Sequence, residues 1–154
     1  MNTPPPAHPQ LETLLEWPAT TIAVLATAGR APHAMPVSAP VRAGNRRIRL
    51  SLRRARGSLA RPRARPNVAL LILSAGDIAL TARGTTDIVE EPMEGAADYA
   101  AIAIDVEEID DHRQAEFVAE SGVSRRWIDE QEQRALGDSV EALRALTGTQ
   151  ERTP

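Results

Sequence analysis

The sequence predicts one mainly β domain, a closed or nearly closed antiparallel barrel of six strands with short helices near both ends. Two observations support this prediction. Six segments have either the alternating apolar pattern or the uninterrupted apolar composition of strands. The connections between them are mostly short, and no helix of about 10 to 15 residues separates successive strands, which disfavours a parallel sheet. A barrel is the economical way to close such a sheet around one core.

The N-terminal half contains one predicted helix and three predicted strands. Leucines at helical spacing after Pro9 predict a short helix that ends near Trp17. The first strand is apolar on both faces, as in a buried strand. The second contains Pro36 and Pro40, which each remove a ladder donor and indicate an edge or a bulge. The third has one apolar and one cationic face. These strands are predicted at Thr20–Thr27, His33–Arg42 and Arg46–Leu52.

Three more strands and two helices follow. The fourth strand is apolar throughout and predicts complete burial, and Gly84 is the expected bend in the long fifth strand. We expect Asp110, Asp111 and His112 to form a solvated turn after the sixth strand. A helix from Ser124 to about Leu136 and a second from Asp138, ended by Gly148, complete the domain. The strands are predicted at Asn67–Leu73, Ile78–Val89 and Ala101–Ile109.

Length and composition predict a single cytoplasmic domain. The chain has 154 residues, of which 42% are hydrophobic, enough for one substantial core. We place this domain at residues 9–148, between a disordered proline-rich tail at 1–8 and a C-terminal tail at 149–154. The absence of cysteine excludes disulfides and a cysteine nucleophile. No apolar run reaches the roughly 18 residues needed to cross a bilayer, so we expect no membrane partner.

Charge is distributed very unevenly along the chain. Residues 17–76 contain eleven arginines and no acidic residue, whereas residues 77–154 contain nineteen acidic residues. Six of the arginines lie between Arg53 and Arg65, so this stretch requires an anionic partner: another part of the chain, a nucleic-acid backbone or a phosphorylated cofactor. Because the acidic half is covalently attached and can cover the basic half, we do not expect nucleic acid to be the partner.

Several common kinds of active site lack support. The three histidines are scattered, and none has a metal-binding neighbour at helical spacing, so we expect no metal site. Neither a Gly-x-Gly-x-x-Gly motif nor a Walker phosphate loop is present. Ser51 and Ser58 lack the sequence context of a serine nucleophile.

An ordered set of segments carries a resemblance to a known family. The set comprises Thr20–Val41, Arg46–Leu52, the stretches GSLARPRARPNVALL and DIALTARGTTDIV, and the late SGVSRRW segment. Its most specific part is a strand, a short basic segment, and Pro66 just before an apolar strand. From residues 10 to 130 the chain resembles the pyridoxamine 5′-phosphate oxidase-like proteins. The resemblance implies a six-stranded antiparallel split barrel that dimerises, with flavin mononucleotide (FMN) or a related deazaflavin in the groove between subunits.

The resemblance also implies cofactor-binding residues. The backbone of the second strand would line the flavin ring at Met35, Pro36, Val37 and Ser38. The end of the third strand would contact the cofactor at Ser51 and Leu52. The family's phosphate-binding pair falls on Gly57 and Ser58, where a basic pair such as Arg-Lys is usual. Ser58 would give a hydroxyl donor, and one of three nearby arginines could reach the same phosphate: Arg54, Arg56 or Arg61.

The implied function is an oxidoreductase that uses FMN or an 8-hydroxy-5-deazaflavin coenzyme and acts on a small conjugated substrate. The ring chemistry belongs to the cofactor, so no catalytic residue is assigned. In the alternative, the arginines pair mainly with Asp105, Glu107, Glu108 and the acidic C-terminal helices. The chain would then be a noncatalytic cofactor-binding or sequestering protein on the same barrel, or a barrel with no cofactor.

Overall fold

The computed structural model describes residues 8–146 and contains one curled antiparallel sheet of seven strands. The predicted fold class, a mainly β barrel with few helices, is confirmed. The predicted tails, apart from His8, and the helix end at Gly148 lie outside the described residues. The strands are β1 (Ile22–Thr27), β2 (His33–Ser38), β3 (Val41–Arg42), β4 (Arg47–Arg53), β5 (Asn67–Ser74), β6 (Ile78–Glu90) and β7 (Tyr99–Asp111). The helices are α1 (Ala60–Ala64) and α2 (Glu130–Ala145), and a 3₁₀ turn spans Arg54–Arg56.

The sheet curls around a single main core. Its strand order is β2-β1-β5-β6-β7-β4-β3, and the curl brings the edge strand β2 close to β4. Alternate residues of each strand point inward because side chains in a strand alternate between its two faces. In β4 these are Ile48, Leu50 and Leu52, all buried. The opposite face of β4 carries Arg49 and Ser51, which are buried beneath α2, so the expected cationic face is covered.

The second predicted strand is two strands in the structure, which explains why seven strands are present instead of six. The chain turns at Ala39, whose φ of 52° lies in the left-handed region. Before this turn, β2 pairs with β1; after it, β3 pairs with β4. Pro36 lies on an edge strand, where a missing N–H costs no ladder bond, as expected.

The predicted helix before Trp17 is wrong. This segment is irregular, with a bend at residues 12–13, and its backbone donors bond to distant parts of the chain: Leu11 N–H to the carbonyl of Ile109 over 2.9 Å, and Leu14 N–H to that of Asn45 over 2.8 Å. Leu14 is buried against the core. The leucine spacing therefore reflects apolar contacts of an irregular segment with the core, and tertiary hydrogen bonds replace the helical ones.

The two predicted C-terminal helices are one helix. Residues 113–129 are mostly irregular, and α2 begins after Asp129, whose carboxylate accepts hydrogen bonds from the N–H groups of Gln131 and Glu132. The helix then continues through Gly137, where the prediction placed a break. We refer to residues 113–146 as the C-terminal arm.

Two strands predicted to be completely buried have an exposed face. Val24 in β1 is 36% exposed and Leu73 in β5 is 48% exposed, while their neighbours Leu25 and Ile72 are fully buried. The outer face of this part of the sheet is thus apolar and open in the described chain.

The long strand β6 bends at the predicted position. Its pairing with β7 shifts register between Arg83 and Gly84. A Cβ atom on Gly84 would lie 1.9 Å from the carbonyl oxygen of Asp105, so only glycine fits there. β7 runs on through Asp111, and Asp110 is buried, so the predicted solvated turn is wrong. No helix within the described residues combines the length and hydrophobicity needed to cross a membrane.

Candidate functional site

A cleft of about 350 Å³ lies between the barrel and the C-terminal arm. The edge strand β2, the end of β4 and the basic connection after β4 form its barrel side. Eight of the eleven residues predicted from the resemblance line it: Met35, Pro36, Val37, Ser38, Ser51, Leu52, Arg56 and Ser58. The other three, Arg54, Gly57 and Arg61, do not. The cleft thus unites the second-strand segment, the end of the third predicted strand and part of the basic stretch.

The basic connection contains arginines with and without a carboxylate partner. Arg54 and Arg63 both pair with Glu91, and Arg54 Nη1 also donates to the carbonyl of Ala97 over 3.2 Å. Arg56 is exposed at the cleft and has no carboxylate partner among residues 8–146. Gly57 has a φ of 70° and ends the 3₁₀ turn, a position that suits glycine. Arg56 is therefore the arginine of this connection that combines a place in the cleft with an unneutralised charge.

Two aromatic side chains in the cleft were missed by the sequence analysis. The chain has only four Phe, Trp and Tyr residues, and Tyr99 and Trp127 both line this cleft. Each carries a stacked guanidinium group: Arg53 lies 5.0 Å from the centre of the Tyr99 ring, and Arg125 lies 4.5 Å from that of Trp127. The signal available in the sequence was the SGVSRRW segment, which carries both Arg125 and Trp127.

Arg53, Tyr99 and Glu132 form a polar cluster at the cleft. Arg53 and Tyr99 are direct cross-strand partners in the β4–β7 ladder. Arg53 Nη2 donates to the Tyr99 hydroxyl over 3.1 Å and forms an ion pair with Glu132 from the first turn of α2. The cluster therefore connects the barrel to the arm across one wall of the cleft.

Comparison with solved structures identifies the fold. An F420 reductase aligns with a TM-score of 0.50 and 19% identity, covering 60% of this chain and 91% of its own. The fold is that of the pyridoxamine 5′-phosphate oxidase-like split barrels. An FAD-binding protein from Mesorhizobium loti has a TM-score of 0.48 and 14% identity, covering 59% of this chain and 84% of its own. A Clostridium acetobutylicum protein of the pyridoxinephosphate oxidase family, related to general stress protein 26 of B. subtilis, has a TM-score of 0.47 and 16% identity, covering 60% and 81%.

Comparison of the sequence with known proteins found no match. No protein-family model matches the chain, and no curated protein matches it. At 19% identity the structural likeness establishes the fold alone.

Helix α2 of the split barrel is fixed over β4 by buried polar contacts. Ser139 Oγ donates to the carbonyl of Leu136 over 2.7 Å, so the 2.9 Å bond between Ser51 and Ser139 has Ser51 as its donor. Arg49 Nη1 lies 3.5 Å from the carbonyl of Leu143. Buried hydroxyl groups that are fully hydrogen-bonded define one position of the helix. Helix α2 of the arm is therefore held in a fixed position beside the cleft.

Outside the cleft, Asp110 joins β7 of the split barrel to β6 and to the N-terminal segment. Burial alone would raise the pKa of Asp110, but hydrogen bonds from Arg83 and Gln10, with the charge of Arg83, hold that pKa below its ordinary value. Arg83 Nε and Nη2 lie 3.1 and 3.0 Å from the two carboxylate oxygens. We assign this ion pair a role in stability because it does not line the cleft.

Proposed function

We propose that the cleft binds FMN or a deazaflavin coenzyme and that the chain is an oxidoreductase acting on a small conjugated substrate. The observation that carries the proposal is the lining of the cleft: two arginine-stacked aromatic rings, and beside the edge strand β2 an arginine that has no carboxylate partner in the described chain. Planar conjugated ligands with an anionic tail suit this combination of π faces and guanidinium groups. The F420 reductase with the same fold supports the deazaflavin alternative.

The residues of the cleft fit such a ligand at both ends. Arg56 and the hydroxyl of Ser58 would hold the phosphate, because a guanidinium group forms charge-assisted hydrogen bonds to phosphate oxygens. As an edge strand, β2 has one row of backbone N–H and C=O groups outside the ladder. Those groups, between Met35 and Ser38, would bond the polar atoms of the ring.

The bound cofactor would supply hydride transfer, and the protein would supply orientation and hydrogen bonds. Because the cofactor would supply the hydride, the chain would need no nucleophile, metal or acid–base triad of its own. This expectation is consistent with a cleft whose polar side chains are chiefly arginines and hydroxyl groups.

We also propose that the chain forms a homodimer through the outer face of β1 and β5. Val24 lies opposite Leu71 in the ladder and Ala26 lies opposite Ala69, so apolar side chains form adjacent pairs on this face. Val24 is 36% exposed, and the nearby Leu73 and Val123 are 48% and 67% exposed. Exposed apolar patches of this kind mark interaction sites, and a second copy would bury the patch symmetrically.

A noncatalytic cofactor-binding protein is the second candidate. It would use the same cleft residues. The pairing of Arg54 and Arg63 with Glu91 makes these two arginines unavailable to a ligand in either candidate, so it does not distinguish them. Both candidates bind the cofactor, but only the oxidoreductase converts a substrate.

Titration of the purified chain with FMN and with an 8-hydroxy-5-deazaflavin tests the proposal. We expect saturable quenching of cofactor fluorescence, and a bound cofactor that reduces a conjugated carbonyl compound after chemical reduction. Binding without substrate reduction would establish the noncatalytic candidate. A chain that changes the fluorescence of neither cofactor would refute both.

A further inference from the structure

Tyr99, the only tyrosine of the chain, is a buried residue at the edge of the cleft. Its side chain lines the cleft although the residue is 6% exposed, and Met93, Ala101 and Leu143 pack in the same apolar cluster. The hydroxyl group therefore stands at the boundary between a small apolar core and the cleft. Such a group is screened from bulk water but can meet a ligand.

The hydrogen bond from Arg53 is accepted by the oxygen of this hydroxyl, so the hydroxyl can still donate its proton to another group. A guanidinium group can only donate, so the Tyr99 oxygen is the acceptor in the 3.1 Å contact with Arg53 Nη2. Within residues 8–146 the tyrosine proton has no acceptor. A buried donor without an acceptor is costly, and a ligand oxygen in the cleft would satisfy it.

Arg53 is held in the position that this role requires. It pairs with Glu132, and its guanidinium group lies 5.0 Å from the centre of the Tyr99 ring. The positive charge would stabilise negative charge that develops on the phenol oxygen as the proton leaves. The side chain of Glu132 is 46% exposed and joins this pair to solvent.

We infer that Tyr99 is the catalytic proton donor to the carbonyl oxygen of an α,β-unsaturated substrate, with Arg53 as its positioning residue. This inference rests on the proposed function. The cofactor, when bound in its reduced form, would supply the hydride for the β-carbon of the substrate and would be the group that is oxidised. As the new C–H bond forms, the π electrons of the C=C bond move through the conjugated system to the carbonyl oxygen.

The proton balance of this step assigns a task to each residue of the cluster. The Tyr99 O–H bond breaks and an O–H bond forms on the substrate, which leaves as an enol and becomes the saturated carbonyl compound in water. Arg53 stabilises the phenolate. A proton from solvent, which reaches the cluster beside Glu132, restores the hydroxyl group.

The test uses cinnamaldehyde and the chain loaded with FMN or an 8-hydroxy-5-deazaflavin, whichever binds. Tyr99→Phe keeps the ring and removes the hydroxyl, and its melting temperature establishes that the variant is folded. With oxidised cofactor, difference infrared spectroscopy should show a lowered C=O stretch for bound cinnamaldehyde in the wild type and no lowering in Tyr99→Phe. With reduced cofactor, the variant should reduce cinnamaldehyde about 100-fold or more slowly, the loss expected for an acid catalyst.

Two further variants make the result specific. Arg53→Gln should change the pH dependence of kcat while the C=O stretch remains lowered, because Tyr99 is still present. Phe117→Leu alters an exposed aromatic residue outside the cleft and should match the wild type. Normal reduction and an unchanged C=O stretch in Tyr99→Phe would overturn the inference while leaving the proposed function intact, as would a wild-type chain that binds cofactor but leaves cinnamaldehyde unperturbed. A wild-type chain that binds neither cofactor would overturn both.

Discussion

Arg125 joins the C-terminal arm to the edge strand β2 by its contact with Ser38. Its Nη1 atom donates a 2.8 Å hydrogen bond to Ser38 Oγ, and its guanidinium group stacks on the Trp127 ring. Ser38 ends β2, so this contact spans the cleft from the barrel to the arm. The position of Trp127 beside the proposed ring site is a consequence of that contact.

Trp127 should report cofactor binding by its fluorescence. The chain has two tryptophans, and Trp17 lies outside the cleft, so Trp17→Phe leaves a single indole at the site. We expect FMN to quench this variant strongly, because a stacked flavin ring and an indole transfer excitation efficiently. The matched variant Trp127→Phe should be quenched much less. Equal quenching of the two variants would place the flavin away from the arm.

Arg56 should contribute strongly to cofactor affinity. We expect Arg56→Ala to weaken FMN binding by roughly 1.5 to 3 kcal/mol, the range for a hydrogen bond to a charged group, or about 10- to 150-fold in Kd. Fluorescence titration measures the effect. Arg61→Ala is the matched control, since Arg61 belongs to the same basic stretch but does not line the cleft. If both substitutions have the same effect, the phosphate does not bind at Arg56.

Asp110 should make stability depend on pH in the acid range. Because its folded-state pKa lies below the unfolded value, ionised Asp110 stabilises the fold at a pH above the unfolded pKa, and this contribution is lost as pH falls through the folded pKa. Urea unfolding between pH 2 and 7 should therefore show a gap in unfolding free energy, with the wild type more stable than Asp110→Asn. The gap should be largest near neutral pH and should close on acidification. A gap that stays constant with pH would show that the ion pair with Arg83 is not its source.

Two glycines should respond oppositely to the same substitution. Gly84→Ala would drive a Cβ atom into the Asp105 backbone, so we expect a loss of about 2 kcal/mol or more in unfolding free energy. Gly137 lies within α2, where an added Cβ atom would meet no neighbouring atom of the described chain within 4 Å, so Gly137→Ala should stabilise the chain by about 0.5 to 1 kcal/mol. Denaturant unfolding measures both. Similar values for the two variants would contradict the tight β6–β7 approach.

The proposed dimer should dissociate when charge is placed on its apolar face. Leu73→Glu introduces a carboxylate that a second copy would have to bury, so light scattering coupled to size exclusion should give half the wild-type mass. Phe117→Glu, which changes an exposed residue of the arm, is the control and should keep the wild-type mass. A wild-type chain of monomeric mass would refute the proposal directly.

The strands were predictable from sequence to a large extent. Alternation in Arg46–Leu52 reports local geometry, since the period of a strand is a property of its own backbone. The bend in Ile78–Val89 was predictable because a glycine inside a strand is typical of a bulge or of a close approach by another strand. The N-terminal helix was mispredicted because the backbone bonds of Leu11 and Leu14 go to residues far along the chain, which no local pattern reveals. The break expected near Gly137 was also wrong, because packing over β4 outweighs the weak helix propensity of one glycine.

The sequence by itself determined the barrel, its apolar core and the second-strand, third-strand and basic segments of the cleft, because apolar periodicity and an ordered set of segments are written along the chain. Tertiary structure alone decided which cations stay available: Arg54 is paired through Glu91, whereas Arg56 has no such partner within residues 8–146. It also decided that Tyr99, Trp127 and Glu132 complete the cleft. These residues reach it through strand pairing and the return of the arm, and contacts between residues 46 and 79 positions apart leave no local trace.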